Sequence, residues 1–286
     1  MEPGCLVVVS DRDPVATALR ERWGVSPATG EFVDGIPVRR LSEGALLIGR
    51  PGAHIYDERL DLRLPPAWAG RRLTLIFPSI HRSERNVECL TVHPLGNPGP
   101  TAEVGGRPRT FTPTDPRLMT GMLQTLAERG PAVGWPATFE ATHHGPELGR
   151  PAFFVEIGYG TQPGPPDAAV RLLAETIPFV RPSLGDRVAV GAGGGHYMPH
   201  ITELAIRRRW SFGHLLSRHA LTELDPGSAR AAWDGTPGAE GVLFARAEDA
   251  ESPVWDGVGP RLRDGDAPRR SAAETPTSAS RPASGT

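Results

Sequence analysis

Ala152-Phe153-Phe154-Val155-Glu156-Ile157-Gly158 is an unbroken apolar run with one carboxylate inside it, preceded by Pro151 and closed by glycine. A strand with one solvated face would alternate apolar and polar residues; a continuous run belongs to a strand covered on both faces. The same reading applies to Cys5 to Ser10, Ala45 to Gly49, Leu73 to Ser79, Cys89 to His93, Arg187 to Ala192 and Gly241 to Arg246. Helical patterns fall between them, at Pro14 to Trp23, Asp115 to Glu128, Asp167 to Val180 and Thr202 to Trp210. Asp115 followed by Pro116 is a helix start, a capping side chain and then a proline in the first turn. Strands interleaved with helices predict an α/β fold, a mixed, largely parallel sheet flanked by helices. No internal repeat is visible. Pro94 to Pro113, dense in Gly, Pro and Thr, reads as a long functional loop. Residues 1–260 are expected to form one domain. From Arg261 to Thr286 the composition turns to Arg, Asp, Pro, Ala, Ser and Thr without periodicity, which predicts a disordered tail.

With 38% hydrophobic and 22% charged residues the chain reads as an ordinary globular protein. It holds no apolar stretch near the roughly 20 residues a membrane span needs. The first residues carry no basic start and too short an apolar run for a signal peptide. Cys5 and Cys89 lie in apolar runs, so buried thiols are expected rather than a disulfide, and the compartment is expected to be the cytoplasm. The chain has no lysine; all 31 basic side chains counted are arginine, as a GC-rich coding bias gives. Guanidinium groups suit phosphate bidentately. A net charge of −2 argues against a general nucleic-acid binder, so any RNA contact needs a local patch. Arg207-Arg208-Arg209-Trp210 is the candidate, and a solvated helix end explains it equally well.

Histidines cluster beside carboxylates, glycines or one another in four short segments: Ser79 to Glu84 with His81; Leu90 to His93; Glu140-Ala141-Thr142-His143-His144-Gly145-Pro146; and Gly193-Gly194-Gly195-His196-Tyr197-Met198-Pro199-His200. His214 lies just beyond. Imidazoles and carboxylates hold zinc and move protons near neutral pH. On a regular strand His143 and His144 would face opposite sides, so Gly145-Pro146 must end the strand if both are to face one site. Glu156, inside its apolar run, must be ion-paired, metal-bound or protonated, and is a metal-ligand or general-base candidate. His81 and His93 sit at strand ends, where open α/β sheets bind ligands.

The strand entering Gly193 to Gly195 does not match a dinucleotide fingerprint, because His196 stands where a glycine is needed, and a phosphate loop needs a lysine. Its N–H groups suit an oxyanion hole or ligand clamp. His196 and His200 are not read as a helical zinc pair, since Pro199 intervenes. Arg107 and Arg109 are candidates to meet an anionic substrate, and His54 and His219 read as surface residues. No G-x-S-x-G elbow is present, so an activated water is the expected nucleophile.

The strings EATHHGP, PAFFVEIG, GGGHYMPHITELA and FGHLL, with VVVSDRDPVA, SIHRSE and LTVHPLGNPG, resemble the archaeal and plant type of D-aminoacyl-tRNA deacylase over about residues 5–245. The resemblance implies a cytoplasmic, monomeric enzyme with two zinc ions, hydrolysing the ester between a D-amino acid and tRNA. Its implied fold is similar to that of peptidyl-tRNA hydrolases and nucleoside phosphorylases. Carried over by motif, His81, His93, His143, His144 and His196 are expected to serve as metal ligands or in proton transfer, with Glu140, His144, His196 and Glu156 as catalytic groups; spacing does not divide the histidines between the two roles. Ser83, Asn97, Thr142, Gly193, Gly194, Gly195, Tyr197 and His214 are expected to bind substrate, and Arg207, Arg208, Arg209 and Arg218 to meet RNA. The sequence departs from the family pattern at His200, at Ser217-Arg218-His219, and most of all after Arg246. Two alternatives stay open: a small-molecule metallohydrolase that has lost tRNA recognition, and a non-catalytic RNA-binding protein.

Overall fold

The computed structural model describes residues 4–82, 87–161, 163–185, 187–207 and 210–263. In chain order the elements are β1 (Cys5–Ser10), α1 (Pro14–Trp23), β2 (Ala28–Val33), β3 (Ile36–Arg40), β4 (Ala45–Arg50), β5 (Thr74–His81), β6 (Cys89–Pro94), β7 (Gly96–Asn97) and β8 (Thr110–Phe111). They continue as α2 (Pro116–Arg129), β9 (Ala137–Phe139), β10 (Ala152–Gly158), α3 (Asp167–Thr176), β11 (Arg187–Ala192), α4 (Pro199–Arg207), β12 (Trp210–Leu216), α5 (Arg218–Glu223), α6 (Pro226–Asp234), β13 (Gly241–Phe244) and β14 (Arg261–Leu262).

An eight-stranded sheet runs β2-β3-β4-β1-β5-β10-β6-β9, and a four-stranded one runs β12-β11-β13-β14. The small sheet is wholly parallel. In the large one β4, β1, β5 and β10 are parallel, whereas β6 enters antiparallel to β10. The expected mixed, largely parallel α/β architecture is therefore present. β10 alternates as its pleat requires. Phe153, Val155 and Ile157 join the core cluster that includes residues of α1, α2 and α3, while Ala152 and Phe154 join a second cluster on the opposite face. Glu156 shares the pleat of Phe154, which sets its carboxylate on that second face.

Three predicted strands and the first helix match to the residue. The last predicted helix is corrected: it begins at Pro199, a residue suited to a first turn, and ends at Arg207, and Trp210 opens β12. The domain boundary at residue 260 is passed by the chain, because Arg261–Leu262 pairs in parallel with β13 and Leu262 is buried. The predicted tail from residue 264 onward lies outside the described residues.

α1 shows how local chemistry aims the sheet. Asp13 caps it, accepting from the Ala16 N–H at 2.9 Å with Pro14 behind it. Its second oxygen accepts from Ser79 Oγ at 2.9 Å and from the Ile80 N–H at 3.0 Å, tying the end of β5 to the helix start. Within α2, Gly121 sits against the Arg181 carbonyl with no room for a methyl group. Gly121→Ala is expected to cost about 1–3 kcal/mol through overpacking, seen as a fall in thermal midpoint.

Candidate functional site

β10 and its two neighbours carry the first half of the site. His93 on β6 pairs in register with Phe154, and their rings stack at 5.1 Å between centroids. His81 ends β5 opposite Gly158. A Cβ on Gly158 would lie 2.6 Å from the Val87 carbonyl and 3.2 Å from the His81 ring, so glycine is what lets these strands close. Glu156 lies between them, with its carboxylate 3.3 Å from His81 Nδ1 and 3.7 Å from His93 Nε2.

Glu140 to His144 supplies the second half and forms the seam between the two sheets. The Glu140 N–H donates to Val92 of the large sheet, and that of Thr142 donates to Leu215 of the small one. Ala141 donates to the His196 carbonyl, and Glu140 bridges Tyr197. His144 adopts φ 46°, in the left-handed region that histidine tolerates better than most residues. The turn thus occurs at His144 itself, one residue before the expected Gly145-Pro146. The rings of His143 and His144 both face His93, at 4.1 and 5.0 Å, and lie 4.4 Å from each other.

Glu140 is the hub. Its fully buried carboxylate approaches His81 Nδ1 at 3.0 Å, His196 Nε2 at 3.2 Å and His143 Nε2 at 3.8 Å. None of these approaches is aligned as a hydrogen bond, and among the described residues neither Glu140 oxygen nor His93 Nε2 has a hydrogen-bond partner. Three buried polar atoms left in this way are costly unless something further binds them. The other ring nitrogens are committed: Nδ1 of His143 to the Ala141 carbonyl (2.8 Å) and Nδ1 of His144 to the Gly145 carbonyl (2.7 Å). His81 Nε2 is hydrogen-bonded to the Tyr197 hydroxyl at 2.8 Å.

Burial disfavours charge throughout the site, and neighbours decide where it survives. At His81, burial is outweighed by Glu140 and Glu156, which lift its pKa to about 10. His93 is also raised, its burial outweighed chiefly by Glu156. Glu140 is held well below the usual carboxylate range, against burial, by His196 and His81; Glu156 falls to about 2 through His81 and His93. Burial dominates at His143 and His144, the first pushed well down and the second to about 4. The centre therefore contains charged pairs beside imidazoles kept neutral, the form in which histidine binds metal.

Ligand atoms converge as His93, His143 and His144, as Glu140, His143 and His196, and as His81, Glu140 and Glu156, each set within 4.8 Å. His143 has only Nε2 left, so it can serve one ion. The first and third sets share no residue. This nitrogen and oxygen donor set, with its unpartnered buried atoms, fits zinc.

The predicted residues divide clearly. His81, His93, Glu140, His143, His144, Glu156, His196 and Tyr197 come together. His214 is fully buried; it meets Thr142 Oγ1 through Nδ1 at 3.2 Å and packs edge-on against Phe111. Thr142 is itself buried, its hydroxyl accepting from the Leu215 N–H. The Asn97 amide donates to the Gly105 carbonyl and so fastens the long loop. The Gly193 N–H donates to Leu216, which removes it from the expected oxyanion donors; Gly194 and Gly195 are the more open pair. Arg207 pairs with Glu203 and Arg218 with Glu248, all exposed. Arg107 and Arg109 pair with Glu147 and Asp225 at the surface. Ser83, Arg208 and Arg209 lie outside the described residues. His200 is in none of the convergent sets.

His54 is another correction. It is buried, tilted against Phe154 at 5.2 Å and Phe77 at 5.9 Å. Neither partner is near it in sequence, so no local pattern announced this. Asp13 was also missed, although Asp-Pro before an apolar helix is a readable cap. Both cysteines are free and buried, and burial pushes Cys89 up to about 12, which rules it out as a thiolate nucleophile at neutral pH.

A buried histidine–carboxylate centre at the junction of two sheets defines an α/β protein built for hydrolytic chemistry. Residues 71–252 match the family model described as D-aminoacyl-tRNA deacylase, and the chain belongs to that family. The D-aminoacyl-tRNA deacylase of Thermoplasma acidophilum is 37% identical over 62% of this chain and 69% of its own. That of Pyrococcus abyssi is 34% identical over 71% and 74%, and that of Methanosphaerula palustris 35% over 73% and 45%. The crystal structure of a conserved protein of unknown function, AF0625, superposes with a TM-score of 0.77 at 24% identity, over 92% of this chain and 96% of that one. That likeness speaks for the fold.

Proposed function

We propose that this protein hydrolyses the ester of D-aminoacyl-tRNA, releasing tRNA and the free D-amino acid, as a monomer in the cytoplasm with two bound zinc ions. The observation that carries the reading is Glu140, buried and shared by His81, His143 and His196, in a chain of the D-aminoacyl-tRNA deacylase family. His93, His143 and His144 would hold one ion, and Glu140 and Glu156 with His81 the other. Bound there, zinc supplies a water of lowered pKa and polarises the ester carbonyl.

The chain's own groups do the rest. His196 is half exposed, so its imidazole meets the incoming substrate while Glu140 fixes the ring from behind. It is the group best placed to take a proton from water and return it to the departing ribose oxygen. Glu156 lies 3.3 Å from His81 Nδ1, and His81 Nε2 in turn holds the Tyr197 hydroxyl at 2.8 Å. Gly194 and Gly195 leave space for the ribose and the developing oxyanion. Arg207 and Arg218, with their neighbours Arg208 and Arg209, are the candidate RNA contacts.

The test is deacylation of D-tyrosyl-tRNA and L-tyrosyl-tRNA by the purified protein, with metal content measured before and after chelation. Release of tyrosine from the D-substrate only, lost with the metal and restored by zinc, is expected. Turnover of a small D-tyrosyl ester but not of the tRNA would favour the small-molecule hydrolase. Salt-sensitive tRNA binding without hydrolysis would favour the binding protein.

A further inference from the structure

A cavity of about 630 Å³, in the range of small-molecule sites, is lined by none of the residues of the histidine centre. Phe244, Ala250 and Leu262 form its apolar lining, and His200, Glu251 and Arg261 its polar one. β11, β13 and β14 run parallel and end at Ala192, Phe244 and Leu262, so the cavity stands at the carboxyl ends of the strands, where open parallel sheets take ligands. The glycine loop joins it to the catalytic centre. A side chain on Gly193 would lie 3.3 Å from Ala245, which lines the cavity, and His196, three residues on, is 3.2 Å from Glu140. Three residues span at most about 11 Å. Arg261 and Leu262 lie beyond the family match, which ends at residue 252, whereas His200, Phe244, Ala245, Ala247, Ala250 and Glu251 lie within it.

We propose that this cavity binds the penultimate nucleotide, a cytidine, of the single-stranded acceptor end whose terminal aminoacyl ester lies at the histidine centre; the proposal rests on the deacylase reading of that centre. Phe244, its ring held edge-on by Trp255 at 5.5 Å, and the alanines give a base an apolar face. The Glu251 carboxylate can accept from the exocyclic amine of cytosine, whereas uracil would present a carbonyl oxygen to it. Arg261, paired with Asp256 at 2.7 Å, holds positive charge where the phosphate must pass.

Steady-state hydrolysis tests this. Ala247 is exposed on the cavity wall, so Ala247→Trp can fill the cavity without disturbing the core. It is expected to raise KM for D-tyrosyl-tRNA about tenfold or more with kcat kept, and to leave hydrolysis of a small D-tyrosyl ester unchanged. Wild-type protein is expected to prefer a penultimate cytidine over uridine about tenfold in kcat/KM, and Glu251→Ala to abolish that preference. An unchanged KM for the tRNA in Ala247→Trp, or a cytidine preference that survives Glu251→Ala, overturns the proposal. So does loss of the preference on deleting residues 264–286, which would assign it to the chain's own end. Failure of the wild-type protein on every D-aminoacyl-tRNA would instead fault the reading of the histidine centre.

Discussion

Glu140→Gln is expected to lower hydrolysis of D-tyrosyl-tRNA by at least about 10³-fold while the protein stays folded. The carboxylate has two jobs, and the amide does neither. It orients His196, and a positioned acid–base group contributes about 10²–10⁴ in rate. It is also an anionic oxygen donor in two of the three convergent sets, so zinc content should fall together with activity. The stability cost is smaller than the usual penalty for breaking a buried ion pair, about 3–5 kcal/mol, because His81 can release its proton once one of its two partners is gone. About 1–3 kcal/mol, the cost of unsatisfied buried polar groups, is expected instead. Near-UV circular dichroism, zinc analysis and single-turnover rates separate the outcomes. Full zinc content with lost activity would restrict Glu140 to the acid–base role. Retained activity would remove it from the centre altogether.

The parts of this fold that were legible in the sequence are those whose signals are local. Cys5–Ser10, Ala152–Gly158 and Arg187–Ala192 are continuous apolar runs, and they form strands over those same residues. The single carboxylate in an apolar strand marked Glu156, and the Glu140-to-His144 and Gly193-to-His196 strings marked the rest of the centre. What stayed hidden depends on distant partners. The hairpin of β2 and β3 has half-exposed, mixed strands without a clean period. β12 is fully buried, yet Ser211, Gly213 and His214 interrupt its apolar run, so Trp210 read as the end of a helix and the residues after it carried no strand signal. His54 has polar and aromatic neighbours in sequence and acquires its burial from Phe77 and Phe154, which only the folded sheet brings near. His214 carries no sequence signal for its contact with Thr142, 72 residues away, because side-chain type cannot tell an imidazole that meets a ligand from one that supports its neighbour.

The imidazoles that burial keeps neutral make acid the condition that unfolds this protein. His143 lies well below 6.5, His144 at about 4 and His214 at about 3, each shifted first by burial, and His54 is lowered for the same reason. The unfolded chain takes up these protons near pH 6.5 and the folded chain does not. Each group therefore removes up to about 1.4 kcal/mol of stability for every pH unit below 6.5, until its own folded pKa is reached. Glu156 acts lower, its contribution being lost between pH 4.5 and about 2. His81 and His93 work in the opposite direction: their stabilisation is complete below 6.5 and fades as pH rises, for His81 toward about 10. Stability should peak near pH 6.5–7, fall on the alkaline side and fall more steeply in acid. For a domain stable by about 5–15 kcal/mol, several such groups together bring unfolding near pH 5. Urea midpoints of the metal-free protein from pH 4.5 to 9 measure this, and equal stability at pH 7 and 5 would refute it. His214→Gln, which cannot take up the proton, should reduce the acid slope by about one proton without moving the alkaline limb. If the proposed zinc is bound, it should steepen the acid slope further, because protons would then compete with it for His93, His143 and His144.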